Sequence, residues 1–165
     1  MKKIILLTLL AVCFAGCCKK EKPAELNLAV ASTENCRATT PAEISGLFDK
    51  WNSSLSVNAK AVVSNYADKS ILLPTASAKI RITADEKEDY FNTFLLKKPK
   101  GVINFSQIEI GCNTAVDSGL YTFTYSAHSP PDKVQARYTF TYKWDEKRKL
   151  WLITNHHSSI IPPEP

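Results

Sequence analysis

The hydrophobic period of this chain changes once, near Gly101, and that change limits what it can fold into. Before Gly101 apolar residues recur at helical spacing; after it they alternate with polar ones. The clearest alternation is 134–144. Val134, Ala136, Tyr138, Phe140, Tyr142 and Trp144 share one face, and Gln135, Arg137, Thr139, Thr141 and Lys143 the other. A run of helices followed by a run of hairpin-linked strands predicts an α+β domain. The helices must then cover one face of a curved antiparallel sheet. If the aromatic face of 134–144 is the outer one, a second copy of the chain has to bury it.

The first helix starts near Thr40, where Thr40 caps, Pro41 suits the first turn and Glu43 completes a capping box. Ile44, Leu47, Phe48, Trp51 and Leu55 follow at helical spacing, which assigns Trp51 to the core. A short second helix is predicted from Ala59 to Tyr66, capped by Asn58. Residues 70–74 read as a short buried strand or bend. The pair Thr83 and Glu86 opens a third helix that carries Tyr90, Phe91 and Phe94 and ends at Pro99. Strands are predicted near 102–112, 119–127, 134–144 and 149–157. Turns are expected at Asp117–Gly119, His128–Asp132 and Asp145–Arg148. On this reading Asp68, Asp85 and Asp117 sit at loops or helix starts.

The N-terminus reads as an export signal: Lys2-Lys3, then an apolar run from Ile4 to Phe14. That run is shorter than the ~20 residues a bilayer span needs. It ends in Phe14-Ala15-Gly16-Cys17, which resembles a bacterial lipobox with Cys17 as the acylated residue. Ordinary signal cleavage without lipid is the alternative. The expected organisation is a signal over 1–16, a polar tether over 17–35 and one domain over 36–162. A lipid on Cys17 would hold the protein at the membrane without a spanning helix. It would face the periplasm of a bacterial envelope. The residue after Cys17 is not Asp, so the outer membrane is favoured over the inner.

The formal charge of +5 falls to +3 without Lys2 and Lys3, and basic residues form no long block, which argues against nucleic acid. Beyond the anchor region two cysteines remain, Cys36 and Cys112. In an oxidising compartment two such thiols are expected to pair; two free buried thiols are the alternative.

Six segments in order resemble a known family: Phe48-Asp-Lys-Trp51, Leu72-Leu-Pro-Thr75, Asp89-Tyr-Phe91, Gly119–Phe123, Ala136–Phe140 and Trp151–Ser159. They resemble the association-domain-like branch of the ketosteroid-isomerase and nuclear-transport-factor-two superfamily, which includes the hub domain of calcium/calmodulin-dependent kinase II. The resemblance covers about 36–162. It implies a cone: a strongly bent antiparallel sheet wrapped around about three helices, with a pocket at the open end. It also implies self-association, as a dimer or a larger ring, because the hub domains assemble through their sheets. It does not imply kinase activity. The fold hosts isomerases, cyclases, dehydratases, binding proteins and hubs alike.

The strongest site candidates are His156 and His157, adjacent on the last strand and so pointing to opposite faces. That geometry argues against one metal held by both, and no carboxylate or thiolate is spaced to complete a zinc site with His128. One imidazole is expected in the pocket and the other at a packed or subunit surface, with Ser158 and Ser159 able to pin the ring tautomer. By the resemblance, Arg137 projects into the pocket and offers a fork for a carboxylate or phosphate; a solvated mid-strand arginine is the alternative. Arg81 is expected as a second anion contact, and Tyr66 and Tyr90 as pocket walls. No glycine-rich dinucleotide loop or flavin signature is present, so no cofactor is expected. Three functions stay open: a binder of a small polar or anionic ligand, an isomerase-, cyclase- or dehydratase-type enzyme with His156 or His157 as base, and a structural hub.

Overall fold

The computed structural model describes residues 35–75 and 77–163; the predicted signal, Cys17 and most of the tether lie outside them. Three helices, α1 (Pro41–Ser54), α2 (Ala59–Val63) and α3 (Ala84–Leu95), pack on one sheet. The strands are β1 (Tyr66–Leu73), β2 (Pro99–Gly111), β3 (Thr114–Tyr125), β4 (Asp132–Asp145) and β5 (Leu150–Ile160). Their order is β1-β5-β4-β3-β2. Three neighbouring pairs are antiparallel; β1 joins β5 in parallel, so the sheet is mixed at that edge. The architecture is the expected α+β cone.

Local chemistry explains the helices. Thr40 accepts from the Glu43 amide at the start of α1, and Thr83 and Glu86 form a reciprocal capping box on α3. One stripe of α1, with Ile44, Phe48, Trp51 and Leu55, is at most 5% exposed. Each such side chain contributes about 1.5–3 kcal/mol on burial. Asn52 clamps α1 to the sheet, since its amide bonds both the carbonyl and the N–H of Gly101 at 2.9 Å. Helix α3 is tied to β1 by Lys87, whose ammonium donates to the carbonyls of Ser70 and Ile82 at 2.9 and 2.5 Å. Burial lowers the Lys87 pKa, with nearby Glu86 opposing the effect.

Several sequence expectations are corrected here. Helix α2 ends at Val63, and Tyr66 opens β1 instead of closing a helix. The turn between β2 and β3 is at Cys112-Asn113, where Asn113 takes φ 56°. Asp117–Gly119 lies in mid-strand, so Asp117 is a sheet residue, 1% exposed, that accepts from Ser106 Oγ at 2.5 Å and Tyr138 OH at 3.0 Å. The aromatic face of β4 is the inner one: Tyr138, Phe140 and Tyr142 are at most 2% exposed beneath the helices. It therefore needs no second copy to cover it.

The register shifts in three strand pairs, between Tyr66 and Ile71 where β1 meets β5 and at one extra residue each in β2 and β5. In β2, Asn104 is the extra residue between the pairs Ile103↔Tyr121 and Phe105↔Leu120. A Cβ on Gly119 would come within 1.9 Å of the Phe105 carbonyl oxygen, so only glycine fits opposite this bulge. In β5, Thr154 is extra between Tyr142↔Ile153 and Thr141↔Asn155. Cys36 and Cys112 form a disulfide that joins the segment before α1 to the tip of the β2–β3 hairpin.

Candidate functional site

The Thr154 bulge decides which histidine enters the cone. Trp151 and Ile153 face inward, and strict alternation would send Asn155 and His157 after them. The extra residue inverts the phase, so His156 and Ser158 point inward, 4% and 8% exposed, while His157 is exposed on the convex face. There His157 pairs in register with Thr139 and Leu73.

His156 is held by a relay. Trp51 Nε1–H donates to the Tyr66 hydroxyl at 3.2 Å, and that hydroxyl lies 2.7 Å from His156 Nδ1. Proton counting settles the direction. With its lone pair engaged by Trp51, Tyr66 satisfies its own O–H by donating to Nδ1. The opposite assignment leaves the buried phenolic proton without an acceptor. Nδ1 is thus the acceptor, and the ring proton resides on Nε2. Burial raises the Tyr66 pKa, which keeps it a phenol. Burial, and secondarily the neighbouring His157, pushes the His156 pKa down to about 3, so the ring is neutral at physiological pH. Phe140 stacks on it at 4.0 Å and Trp51 meets it edge-on at 5.2 Å. Nε2 is buried and has no hydrogen-bond partner among the described residues.

A hydroxyl trio stands beside the imidazole. Tyr121 donates to Ser158 Oγ, and Ser158 shares a second hydrogen bond with Thr75. Ser158 therefore serves the hydroxyl network and not the ring tautomer, which Tyr66 sets. Desolvation raises the Tyr121 pKa well above that of a free phenol, with the Ser158 bond opposing it. His156, Ser158, Thr75, Tyr121 and Tyr90 line a cavity of about 30 Å³ between Trp51 and the sheet. Its remaining wall is apolar, including Leu72, Phe123 and Ala136. That space holds about two waters.

The other predicted residues divide between places. Tyr66 is behind His156, as a support and not a wall. Tyr90 lines the cavity, and burial raises its pKa. Arg81 sits on an isolated bridge to Leu72 and is 9% exposed; its Nη1 bonds Asp89 at 2.5 Å and the Glu86 carbonyl at 3.2 Å. It lines an adjoining cavity, not that of His156. Arg137 is exposed on the convex face, in register with Leu120 and Ser159. The expectation that it enters the cone is not met, because it alternates with the inward Ala136 and Tyr138. His128 lies in the β3–β4 connection. Among the described residues no three His, Cys, Asp or Glu side chains are grouped to hold a metal.

Sequence reasoning missed Thr75 and Tyr121. The alternation of Tyr121, Phe123 and Tyr125 along β3 was a usable signal for an inward Tyr121. Nothing local marked Thr75, which reaches Ser158 across 83 positions of sequence.

Fold and site together define a cone-fold domain with a small, uncharged polar pocket. The family model of the calcium/calmodulin dependent protein kinase II association domain matches residues 40–162, and the chain belongs to that family. A crystal structure from Xanthomonas campestris, assigned to the same association domain, is 42% identical, with TM-score 0.70 over 78% of this chain and 96% of that one. The iota-carbonic anhydrase of a cyanobacterium, complexed with bicarbonate, is 18% identical, with TM-score 0.65 over 78% of this chain and 96% of its own. An NTF2-like protein with a cystatin-like fold from Novosphingobium aromaticivorans is 8% identical, with TM-score 0.63 over 74% and 82%. The last two likenesses show the fold alone. A comparison with curated proteins found no match.

Proposed function

We propose that the inner cavity binds bicarbonate and that the domain catalyses the reversible hydration of carbon dioxide. The observation that carries this reading is the hydroxyl trio Thr75–Ser158–Tyr121 beside a neutral imidazole whose proton is held on Nε2. A cavity of about 30 Å³ favours a ligand of a few heavy atoms, such as bicarbonate, over a steroid- or polyketide-sized one. The oxygens of bicarbonate accept from Nε2–H and the hydroxyls. Carbon dioxide, which is apolar, fits the wall of Leu72, Phe123 and Ala136. Water held by the hydroxyls adds to the carbon of carbon dioxide while Nε2–H and a hydroxyl stabilise the negative oxygen that develops. The attacking water passes its proton to the Ser158–Thr75 hydroxyl pair, which relays it to solvent at half-buried Thr75 and leaves bicarbonate in the cavity. A structural relative that carries bicarbonate in its crystal shares this fold.

The reading with His156 as general base is weaker, since Nε2 already carries the proton and Nδ1 is occupied by Tyr66. His157 is excluded from the cavity by its exposure on the convex face. Oxygen-18 exchange between carbon dioxide and water tests the proposal. The wild-type domain should accelerate exchange, and Ser158→Ala and His156→Phe should each lower it by about tenfold or more. Exchange at the uncatalysed rate, with no bicarbonate-dependent shift of the His156 ring signals, would sink it.

The same proposal places the protein in the cell envelope, exported and acylated on Cys17, with the domain facing the periplasm. The lipobox-like Phe14–Cys17 supports this. Mass spectrometry of the mature N-terminus tests it; an unmodified Cys17 removes the anchor. Self-association through the convex sheet face completes the picture, supported by the family's association-domain character and by exposed Val102 and Phe105.

A further inference from the structure

Arg81 belongs to a second cavity, of about 200 Å³, lined with Ser77, Tyr90, Thr93, Phe94 and Lys97. The two cavities share Tyr90 and Phe94 as a common wall. Their chemistries differ. The inner one offers hydroxyls and an imidazole without formal charge, whereas the outer one carries two cations.

The Arg81 backbone is fixed by paired hydrogen bonds to Leu72 at 2.9 and 3.0 Å, which hold the side chain at the cavity instead of in solvent. Only one edge of its guanidinium is engaged. Nη1 serves Asp89 and the Glu86 carbonyl, while Nε is buried with no partner among the described residues. A buried donor left unsatisfied is costly, and a planar oxyanion set against this edge of the fork would relieve it. Asp89 occupies the other edge from outside, since its side chain is 73% exposed against 11% for Arg81. Lys97 lines the same cavity and adds a positive charge at its rim, where its ammonium stands 5.2 Å from the ring of Tyr125, a residue outside the cavity lining. Ser77 and Thr93 supply hydroxyls, and Tyr90 and Phe94 an apolar wall.

We infer that this outer cavity is an anion site for a small monocarboxylate, held by Arg81 and Lys97 with its alkyl part against Tyr90 and Phe94. The site stands on its own geometry and does not depend on what the inner cavity binds. A carboxylate matches the flat Arg fork, and the aromatic wall favours a carbon chain over a purely inorganic anion.

Titration of the full chain with sodium acetate, against sodium chloride at equal ionic strength, reads this out through the nitrogen-15 signal of Arg81 Nε. Acetate should shift that signal saturably and chloride should not. Arg81→Gln should abolish binding. Arg81→Lys, which keeps the charge but lacks Nε, should weaken it about tenfold. Lys97→Gln should weaken it about threefold or more. Asp89→Asn should tighten binding, because it removes a competing negative charge from Arg81. Ser158→Ala should leave it unchanged, which separates this site from the inner one. The inference is overturned if chloride reproduces the shift, or if phosphate binds and acetate does not. It also falls if Asp89→Asn weakens binding, since Arg81 and Asp89 would then be a structural pair.

Discussion

His156 is a buried base held neutral, and that has a pH signature. Its folded pKa of about 3 lies below the 6.5 of the free ring, so at lower pH the unfolded chain gains a proton that the folded one refuses. The associated stability is complete above about pH 6.5 and is lost progressively as the pH falls toward 3. Between pH 6 and 4 this group alone should remove about 1.4 kcal/mol per pH unit. Thermal melts of wild type and His156→Phe should show it, with the variant flatter over that range. Tyr66→Phe tests the relay. It strands Trp51 Nε1 and His156 Nδ1, at a cost of about 1–3 kcal/mol for each unsatisfied group. Nitrogen-15 spectra should show the His156 ring losing its single tautomer, an effect that mere loss of packing would not produce. At this scale the sequence told that the two histidines point apart. Which one points inward it did not tell, because the Thr154 bulge is a property of strand pairing and not of local composition.

At the scale of elements, the Thr40 cap, the Thr83–Glu86 capping box and the helical spacing of Ile44, Phe48 and Trp51 were legible because caps and stripes are local physics; the box expected at Glu43 does not close, since its carboxylate turns to Arg37. Asp117–Gly119 misled for an equally physical reason. Asp-Ser-Gly is good turn chemistry, yet here Asp117 is satisfied by Ser106 and Tyr138, and Gly119 answers the backbone of β2. Gly119→Ala should cost about 3 kcal/mol or more, since the obstacle is a carbonyl and not a flexible side chain. Denaturant melts would read this, and a loss below 1 kcal/mol would mean that the bulge relaxes easily. The disulfide acts on a long loop, its cysteines being 76 residues apart. Replacing Cys36 and Cys112 together by serine should lower stability by about 4 kcal/mol in the chain-entropy picture. Urea unfolding under oxidising conditions measures it.

For the whole molecule, the inner aromatic face is covered by the helices, and the self-association proposed above uses the convex face. That face presents Val102 and Phe105, 55% and 58% exposed, beside half-buried Leu120. A charge there should oppose association while leaving the fold intact. Phe105→Glu is expected to shift the domain to monomer in analytical ultracentrifugation at micromolar concentration, with an unchanged melt. A wild-type domain that is monomeric under the same conditions would contradict the self-association proposal.

The sequence by itself determined the α+β order, the helix caps, the alternating strands, the cysteine pair and the two opposed histidines. All of these follow from local dihedral preference, from periodicity or from a count of thiols. Only the tertiary structure decided that the aromatic stripe of β4 faces the helices, that Arg137 faces away and that Arg81 and His156 line separate cavities. It alone also brought Thr75, Tyr121 and Ser158 together. Those outcomes depend on register, and a single extra residue in β5 inverts the facing of everything after it. No local propensity encodes such a slip; it is chosen by which pairing buries the most apolar surface and leaves the fewest polar groups unpaired.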